Sequence, residues 1–408
     1  MRITCVGGGP AGLYFALLAR LRDPRHRVTV VERTLPDATY GWGFGYWDDL
    51  LAGLDEHDPP TAREIRAASV RWTGQQVRIR DRRPVHLGGY GYGMGRQRLL
   101  EILTRRALEV GVDVEHRREV ASLDELGDAD LVVLSDGHGS RLRRGRAGAF
   151  GTTEEAGATV HLWLGTAASF PSFTFAFEPT RAGWVWFHGY QYAPGASTAI
   201  VECSRATWSG LGFDALPVEE AVERLSEVFA RHLGGHPLRC RPPGAGAAAA
   251  WRSFTTVGNA RWHDGNVVLI GDAAHTAHFS VGSGTKLALQ DAMALADVLG
   301  SGPPAGGLEA ALRSYEELRR PTVVRLQGEA ARSAAWFENA DRHLLMAPTD
   351  VGYSLRTRRA AEVEGAAPPL RRRSLPYLLH RATQLRAGRA ARRGVSALKR
   401  SYARHLRR

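Results

Sequence analysis

Residues 2 to 32 constrain this chain more than any other stretch. Arg2 to Val6 (RITCV) reads as a short apolar strand and runs directly into Gly7-Gly8-Gly9-Pro10-Ala11-Gly12. That string fits G-x-G-x-x-G. A helical stretch follows, apolar at Leu13, Leu17, Leu18 and Leu21. A second strand, Val28 to Val31, ends on Glu32, twenty residues after Gly12. Each part has a physical reason. Gly7 permits a tight turn, Gly9 lets backbone approach a pyrophosphate, and Gly12 lets helix and strand pack closely. Pro10 and Ala11 open the helix, whose free N–H groups and positive dipole end suit phosphates. Glu32 is placed to accept from ribose hydroxyls, with Arg33 beside it. A strand before, a helix after and an acid at this distance make the unit a device for the ADP half of a dinucleotide.

The chain has 408 residues and is 44% hydrophobic, enough for a large core in one elaborate domain or two smaller ones. No apolar run approaches a membrane span, and the first residues already read as a strand, so neither integral membrane association nor a cleavable targeting segment is expected. Cys5, Cys203 and Cys240 suit neither a disulfide framework nor a metal site, so no metal is expected and a reducing cytoplasm is the simplest location. The net charge of +12 is not spread evenly. Leu370 to Arg408 holds 13 Lys and Arg and no Asp or Glu. Removing it from the chain's 54 basic and 42 acidic residues leaves 41 against 42. The body is near neutral, so no nucleic-acid partner is expected. The basicity belongs to a C-terminal tail, in which Val395, Leu398, Tyr402 and Leu406 are spaced as on one helix face. A solvated helix packed on the body is one reading; contact with an acidic partner or an anionic surface is the other.

Strand and helix signals alternate at first, then give way to β segments (VHLWL, FTFAF, GWVWFHGYQY, STAIVEC) between 159 and 203. Helical patterns cover Arg98 to Val110, Pro217 to Leu233, Gly284 to Leu299 and Leu308 to Arg332. Residues 40–47 (YGWGFGYW) read as a glycine- and aromatic-rich loop. The fold class expected is α/β: a Rossmann-like dinucleotide-binding fold, an inserted mostly antiparallel sheet, and a helical C-terminus. The partition expected is 1–68, 96–158 and 251–335 for the nucleotide-binding body. Residues 69–95 and 159–250 form the inserted substrate domain. Residues 336–408 form the C-terminal region, with the basic tail from 370.

Two further motifs bear on the cofactor. Leu131 to Arg143 carries D-G-x-x-S-x-x-R, in which Asp136-Gly137 turns at a strand end. Val267 to Asp291 reads VVLIGDAAHTAHFSVGSGTKLALQD. Gly271-Asp272 closes a strand, and Gly282, Ser283, Gly284 and Thr285 open a helix whose free N–H groups can stabilise negative charge on a reduced flavin ring. The three motifs, in this order and spacing, resemble the single-component FAD-dependent aromatic monooxygenases over most of residues 1 to 335. The resemblance implies FAD as cofactor. It also implies that Arg96, in R-x-x-L-L-x-x-L, touches FAD and that Asp272 accepts from the ribityl chain. Within the family, HTAHFSVGSGTK is similar to salicylyl-CoA 5-hydroxylases and anthraniloyl-CoA monooxygenases. So are GWGF at 41–44, GWVWFHGY at 183–190, TAIVEC at 198–203, SYEELRRP at 314–321, WFENADRH at 336–343 and YSLRTR at 353–358. The tryptophan hydroxylase of violacein assembly shares HFS and IVEC. The basic tail has no counterpart in this pattern.

The resemblance implies that NADPH or NADH reduces FAD transiently, that O₂ is the co-substrate, and that an electron-rich aromatic ring is hydroxylated. The substrate expected is small and aromatic, a salicylyl- or anthraniloyl-CoA-like thioester. The alternatives are a free or carrier-bound indole or tryptophan-type substrate, or a flavin halogenase. Trp184-Val185-Trp186 is similar to the halogenase W-x-W, but His188 and Gly189 stand where Ile and Pro would follow. His278 is the candidate catalytic residue, able to hydrogen-bond a ring hydroxyl or amine and assist proton removal. The other reading of His278 is a loop anchor, and His275 reads as structural. Trp42, Phe44, His188, Tyr190 and Phe279 are the candidate substrate-binding residues, each equally compatible with core packing. The ring, its position of attack and the oligomeric state are left open by the sequence.

Overall fold

The computed structural model describes residues 1–36, 42–241, 250–300, 306–360 and 372–385. The expected tail helix face at 395–406 lies outside them. So do Tyr40, Gly41 and most of the small-residue linker at 244–250.

Apolar runs that are buried on both faces make the first sheet. Its order is His263–Asp264, Val267–Leu269, Leu131–Leu134, Arg2–Val6, Arg27–Glu32, Asp113–His116. All pairings are parallel except the antiparallel edge at 263–264. Continuous runs such as LVVL suit a parallel sheet covered by helices. The covering helices Pro10–Arg22, Arg96–Glu109 and Gly284–Leu299 contribute to one core with these strands. Every residue from Ala11 to Ala19 is buried.

The second sheet has seven strands, in the order Leu238–Arg239, Thr159–Thr166, Ala196–Ser204, Gly183–Ala193, Phe173–Thr180, Gln75–Ile79, Val85–Gly88. It is antiparallel apart from the pairing of Phe173–Thr180 with Gln75–Ile79. Side chains alternate faces along each strand. Val185 and Phe187 turn to a core under the helix Val218–Val228, whereas Trp186, Phe175 and Phe177 turn to a core with Trp336, Phe337 and Leu355. Among the described residues no helix is long and apolar enough to cross a membrane.

The structure corrects several local expectations. Residues 43–46 are not loop. Gly43–Tyr46 is a strand paired antiparallel with Gly91–Gly95, which also pairs with Val70–Trp72. Glycine at 43, 91 and 93 is required by close packing: Cβ atoms there would stand 2.6 Å from Tyr192, 2.2 Å from Trp72 and 2.1 Å from the Gln191 carbonyl oxygen. Helices Asp48–His57 and Pro59–Ala67 follow, each too short to show a clear period in the sequence. The helix expected at 217–233 breaks at Phe229, and the one expected at 308–332 runs from Gly307 to Glu338 through Pro321. The strand that Gly271-Asp272 is expected to close ends earlier, spanning Val267–Leu269.

The segment after 370 begins as part of the body. Ser374 caps a helix, Leu375–Ala382, through the Tyr377 N–H. Tyr377 and Arg372 both donate to the buried Asp350, and Gln384 exchanges hydrogen bonds at 2.9 Å with the His86 backbone. Leu375, Leu378, Leu379 and Leu385 remain exposed.

Asp291 links the elements of the third motif. Fully buried on the Gly284–Leu299 helix, it accepts from Gly271 N (3.0 Å), His275 Nε2 (2.7 Å) and Arg319 Nε (2.9 Å). Burial alone would raise its pKa, but the His275 and Arg319 partners outweigh that and hold it below the usual value. Asp291→Ala should destabilise the fold by roughly 3–5 kcal/mol, because it strands the Arg319 charge. A urea melt measures this. A depressed carboxyl stabilises above its unfolded pKa of about 3.9 and loses that contribution as pH falls through the folded value. Wild-type stability should therefore fall more steeply below about pH 4 than that of Asp291→Asn.

Candidate functional site

The three sequence motifs meet at the ends of the parallel strands. Gly7 has φ +109°, and a Cβ there would stand 2.5 Å from the Ser135 carbonyl oxygen. Gly12 is equally enclosed, with Gly7 O at 2.2 Å and Ser135 Oγ at 2.4 Å from its notional Cβ. Gly271 presses on Ala11 and Ala288, 3.0 and 3.3 Å from their Cβ atoms by the same measure. Gly9 differs: a Cβ on it would meet nothing closer than the Ser135 oxygen at 3.9 Å. Its outer side is open, as close approach of a phosphate requires. Pro10 follows as the first helical residue.

Glu32 accepts from Gly8 N at 2.7 Å and from Thr34 N and Oγ1 at 2.8 Å. Its carboxylate thus shapes the glycine loop and has limited capacity left for a ribose. Arg33 is exposed, and its charge is felt by Asp136. Asp136 Oδ1 is buried without a hydrogen-bond partner, and burial raises the pKa of this carboxyl. An orphaned acceptor beside an open phosphate cradle suits a hydroxyl-bearing cofactor. Asp272 is partly exposed, 3.9 Å from a notional Cβ on Gly284, so the Gly-Asp turn faces the helix start. Gly282 is left-handed (φ +65°), and Ser283 is buried with its hydroxyl on Val281 O. Thr285, Pro10, Arg96, Leu99 and Leu100 line a cavity of about 20 Å³. Pro10, Arg96, Asp272 and Thr285 are all partly exposed around this crevice. The residues present fit FAD.

The second sheet supplies the other wall. Its register places His161 opposite Glu202 and Glu202 opposite Trp186; the next row holds Trp163, Ile200 and His188. Side chains opposite one another on one face are in contact range. Glu202, 1% exposed, accepts from Thr159 Oγ1 (2.7 Å), Trp186 Nε1 (2.8 Å) and His188 Nε2 (3.1 Å), with His278 Nε2 at 3.7 Å. Burial pushes its pKa up, but the His188 hydrogen bond and the neighbouring histidines prevail and bring it down to about 2. The histidines also fall below the usual imidazole value, here because of burial, which lowers His188 and takes His278 and His161 down to about 4, with Glu202 opposing in each case. At neutral pH the group is one carboxylate and neutral imidazoles. Among the described residues no three such side chains are arranged to hold a metal ion.

The candidate residues fall into two sets. His278 and His188 converge on Glu202. His278 is 6% exposed, with Nδ1 at 2.9 Å from Ser280 Oγ; Ser280 in turn contacts Ser333 Oγ at 2.7 Å. His188, 1% exposed, packs edge-on to Phe279 and Phe175. Phe279 is partly exposed and touches His161 (4.9 Å between centroids), Trp163 and His188. Trp42 fills the space over Gly165, and the Arg241 guanidinium lies 5.7 Å from its ring. The structure does not bring Phe44 or Tyr190 to Phe279 by any ring contact. Phe44 packs in the main core against Tyr46, and the Tyr190 hydroxyl donates to Gly43 O at 2.8 Å. His275 is held by Asp291.

Sequence reasoning missed Glu202, His161, Trp163 and Arg358. Arg358 donates to Ser280 O (2.8 Å) and Ser333 Oγ (2.7 Å), supporting the loop from below. The available signals were an acid inside the apolar run TAIVEC and a histidine inside VHLWL.

The cofactor geometry predicts separable effects. Gly9→Val should fold, since nothing blocks its side chain, yet purify largely without flavin. Asp272→Ala should raise the FAD Kd about tenfold or more, the scale of one hydrogen bond to a charged group. Absorbance of the purified proteins and flavin titration read both. Full flavin content in both variants would overturn this placement.

Comparison with known proteins agrees with this geometry. The FAD binding domain family matches residues 1–330. A salicyloyl-CoA 5-hydroxylase from Streptomyces sp is 37% identical over 369 residues, 88% of this chain and 70% of that protein. A 3-hydroxy-4-methyl-anthranilyl-(aryl-carrier protein) 5-monooxygenase from Streptosporangium sibiricum is 40% identical over 339 residues, 83% of this chain and 89% of that protein. Among solved structures, the tetrameric form of 2-methyl-3-hydroxypyridine-5-carboxylic acid oxygenase superposes with a TM-score of 0.67 over 88% of this chain and 97% of its own, at 20% identity, a likeness of fold. The match over residues 1–330 and the two relatives above 35% identity place the chain: it belongs to the FAD-dependent aromatic monooxygenases.

Proposed function

We infer that the protein hydroxylates an electron-rich aromatic ring carried as an acyl thioester, consuming NADPH or NADH and O₂. The observation that carries this reading is the run of partly exposed side chains from the crevice at Pro10, Arg96 and Thr285 to Trp163, Phe279 and His161. Aromatic walls suit a ring, and neutral imidazoles beside them suit a ring bearing a hydroxyl or amine. The thioester is supported by the names of the two relatives, one acting on a CoA ester and one on a carrier-protein ester.

FAD, when bound, supplies hydride acceptance from NAD(P)H and activation of O₂. In overall balance, a ring C–H, O₂, NAD(P)H and a proton give a ring C–OH, water and NAD(P)⁺. This chain's residues orient the ring and exclude water. Phe279, Trp163 and Trp42 are proposed as walls, and the histidines grouped around Glu202, His278, His188 and His161, as the set within which the substrate's proton is handled. The test is a screen of the flavin-loaded protein against salicylate, anthranilate and their CoA thioesters. Stimulated NAD(P)H oxidation with ¹⁸O from O₂ in the product is expected for the thioesters. Stimulation by the free acids alone would refute the thioester reading.

The tail bears on the same question. Residues 386–408 hold nine Lys and Arg and no acid, while the helix Leu375–Ala382 before them is docked. Cutting after Leu385 keeps the contacts of that helix and of Gln384 with the body. We expect KM for a CoA thioester to rise severalfold at low salt, kcat to change little, and the salt dependence of KM to flatten. An unchanged KM and salt response would remove the tail from substrate capture.

A further inference from the structure

We propose that His161 is a catalytic residue: it accepts the proton of the substrate's ring hydroxyl or amine. The inference rests on the hydroxylation reading above and deepens it. Three histidines surround Glu202, and geometry separates them. His188 commits Nε2 to Glu202 and is enclosed by Phe175, Phe279 and Phe337. His278 has Nδ1 on Ser280 and Nε2 turned to Glu202, and is enclosed by Phe254 and Phe279. Both are buried. His161 is partly exposed, and among the described residues no group hydrogen-bonds its ring. Its backbone is held in both directions, N–H to Arg252 O at 2.8 Å and O to Arg252 N at 3.1 Å. The ring thus stands on a rigid strand with its nitrogens uncommitted.

Its position is continuous with the cofactor crevice. Phe279, 4.9 Å away, sits on the loop between the Gly-Asp turn and the Gly284 helix. Trp163 lies two residues along on the same face, with the Arg96 guanidinium 5.9 Å from its ring. Arg96 itself lines the cavity with Pro10 and Thr285.

Burial and nearby charges together set the charge state of His161. Glu202 faces it across the strand pair and favours the protonated form; Arg252 and His188 oppose. The aromatic surroundings remove water and take its pKa to about 4, so it is neutral and able to accept at pH 7. From a ring hydroxyl it takes the proton as the ring attacks, which strengthens the nucleophile; from a ring amine it takes the proton as attack builds positive charge on nitrogen. In either case the imidazolium formed faces the Glu202 carboxylate. His161 returns that proton to the substituent once the attacked carbon has lost its own hydrogen to solvent as a proton. Glu202 then acts at a distance, as the counter-charge for the imidazolium.

The test uses the FAD-loaded enzyme with salicyloyl-CoA as probe. His161→Gln keeps a hydrogen-bonding group without a base. It should bind FAD, keep KM within a few fold and lose product formation by about a hundredfold, with NAD(P)H oxidation diverted from product. His161→Ala should raise KM as well. Over the pH range in which circular dichroism shows the proteins folded, wild-type product formation should fall toward pH 4, and this fall should be weaker in His161→Gln than in His278→Ala. Product formation within threefold of wild type in His161→Gln would overturn the proposal. The hydroxylation reading fails separately, if wild type makes no product from the probe. In that event, NMR of ¹³C-histidine holoenzyme titrated with salicylate decides: a shifted His161 resonance supports contact with a ring, and an unmoved one at saturation overturns it.

Discussion

A Cβ on Gly12 would stand 2.2 Å from the Gly7 carbonyl oxygen and 2.4 Å from the Ser135 hydroxyl. That hydroxyl is engaged at 3.0 and 2.9 Å with Val6 O and Gly7 O. Three chain segments are therefore locked at one point: the glycine turn, the first helix and the end of the Leu131–Leu134 strand. Asp136, next in line, is brought to the crevice by the same contact. Gly271 extends the arrangement by packing on Ala11 of the same helix. Any side chain at these positions would force the elements apart, and the phosphate cradle with them. The openness of Gly9 is meaningful because its neighbours Gly7 and Gly12 are so enclosed.

Two buried carboxylates then hold the loop between the Gly-Asp turn and the Gly284 helix. Asp291 holds its start through Gly271 and His275, and Glu202 faces its far part through His278. Burying a charge is costly unless it is hydrogen-bonded, and each carboxylate has three donors. Arg358 supports the same loop from the C-terminal side through Ser280 and Ser333. Phe279 is thus presented to the sheet by a loop held at both ends, on rigid elements, as a site for a ring requires.

The cofactor half was largely legible in the sequence because its determinants are local. Gly7, Gly9, Gly12 and Glu32 lie within one βαβ unit, where spacing translates directly into geometry. The parallel strands declared themselves as apolar runs, and the Gly284–Leu299 helix by its pattern. The second sheet was legible only in outline. TVHLWLGT and ASTAIVECS read as strands, but their register, which sets His161 against Glu202, is a property of the assembled sheet. Neither residue announces its partner across some forty positions. The aromatic stretch after Tyr40 failed for another reason. Glycine argues against a strand, yet here glycines at 43, 91 and 93 make room for Tyr192 and Trp72 and so permit pairing. Phe44 and Tyr190, plausible as pocket walls by residue type, are used in that packing instead.

The C-terminal segment is anchored where the structure describes it, over residues 372–385. Up to Leu385 it is held by directed contacts: the Ser374 cap, Tyr377 and Arg372 on Asp350, Gln384 on the His86 backbone. These are short-range and insensitive to distant charge. Beyond Leu385 the sequence offers nine cations without an acid. On a body that is otherwise near neutral, such a segment dominates the long-range field, and its reach is the Debye length, about 10 Å at 0.1 M salt. A cluster of that kind attracts acidic molecules. Adenosine phosphates of a CoA ester and the acidic surface of a carrier protein meet that condition alike, whereas a free aromatic acid carries one negative charge and would gain far less.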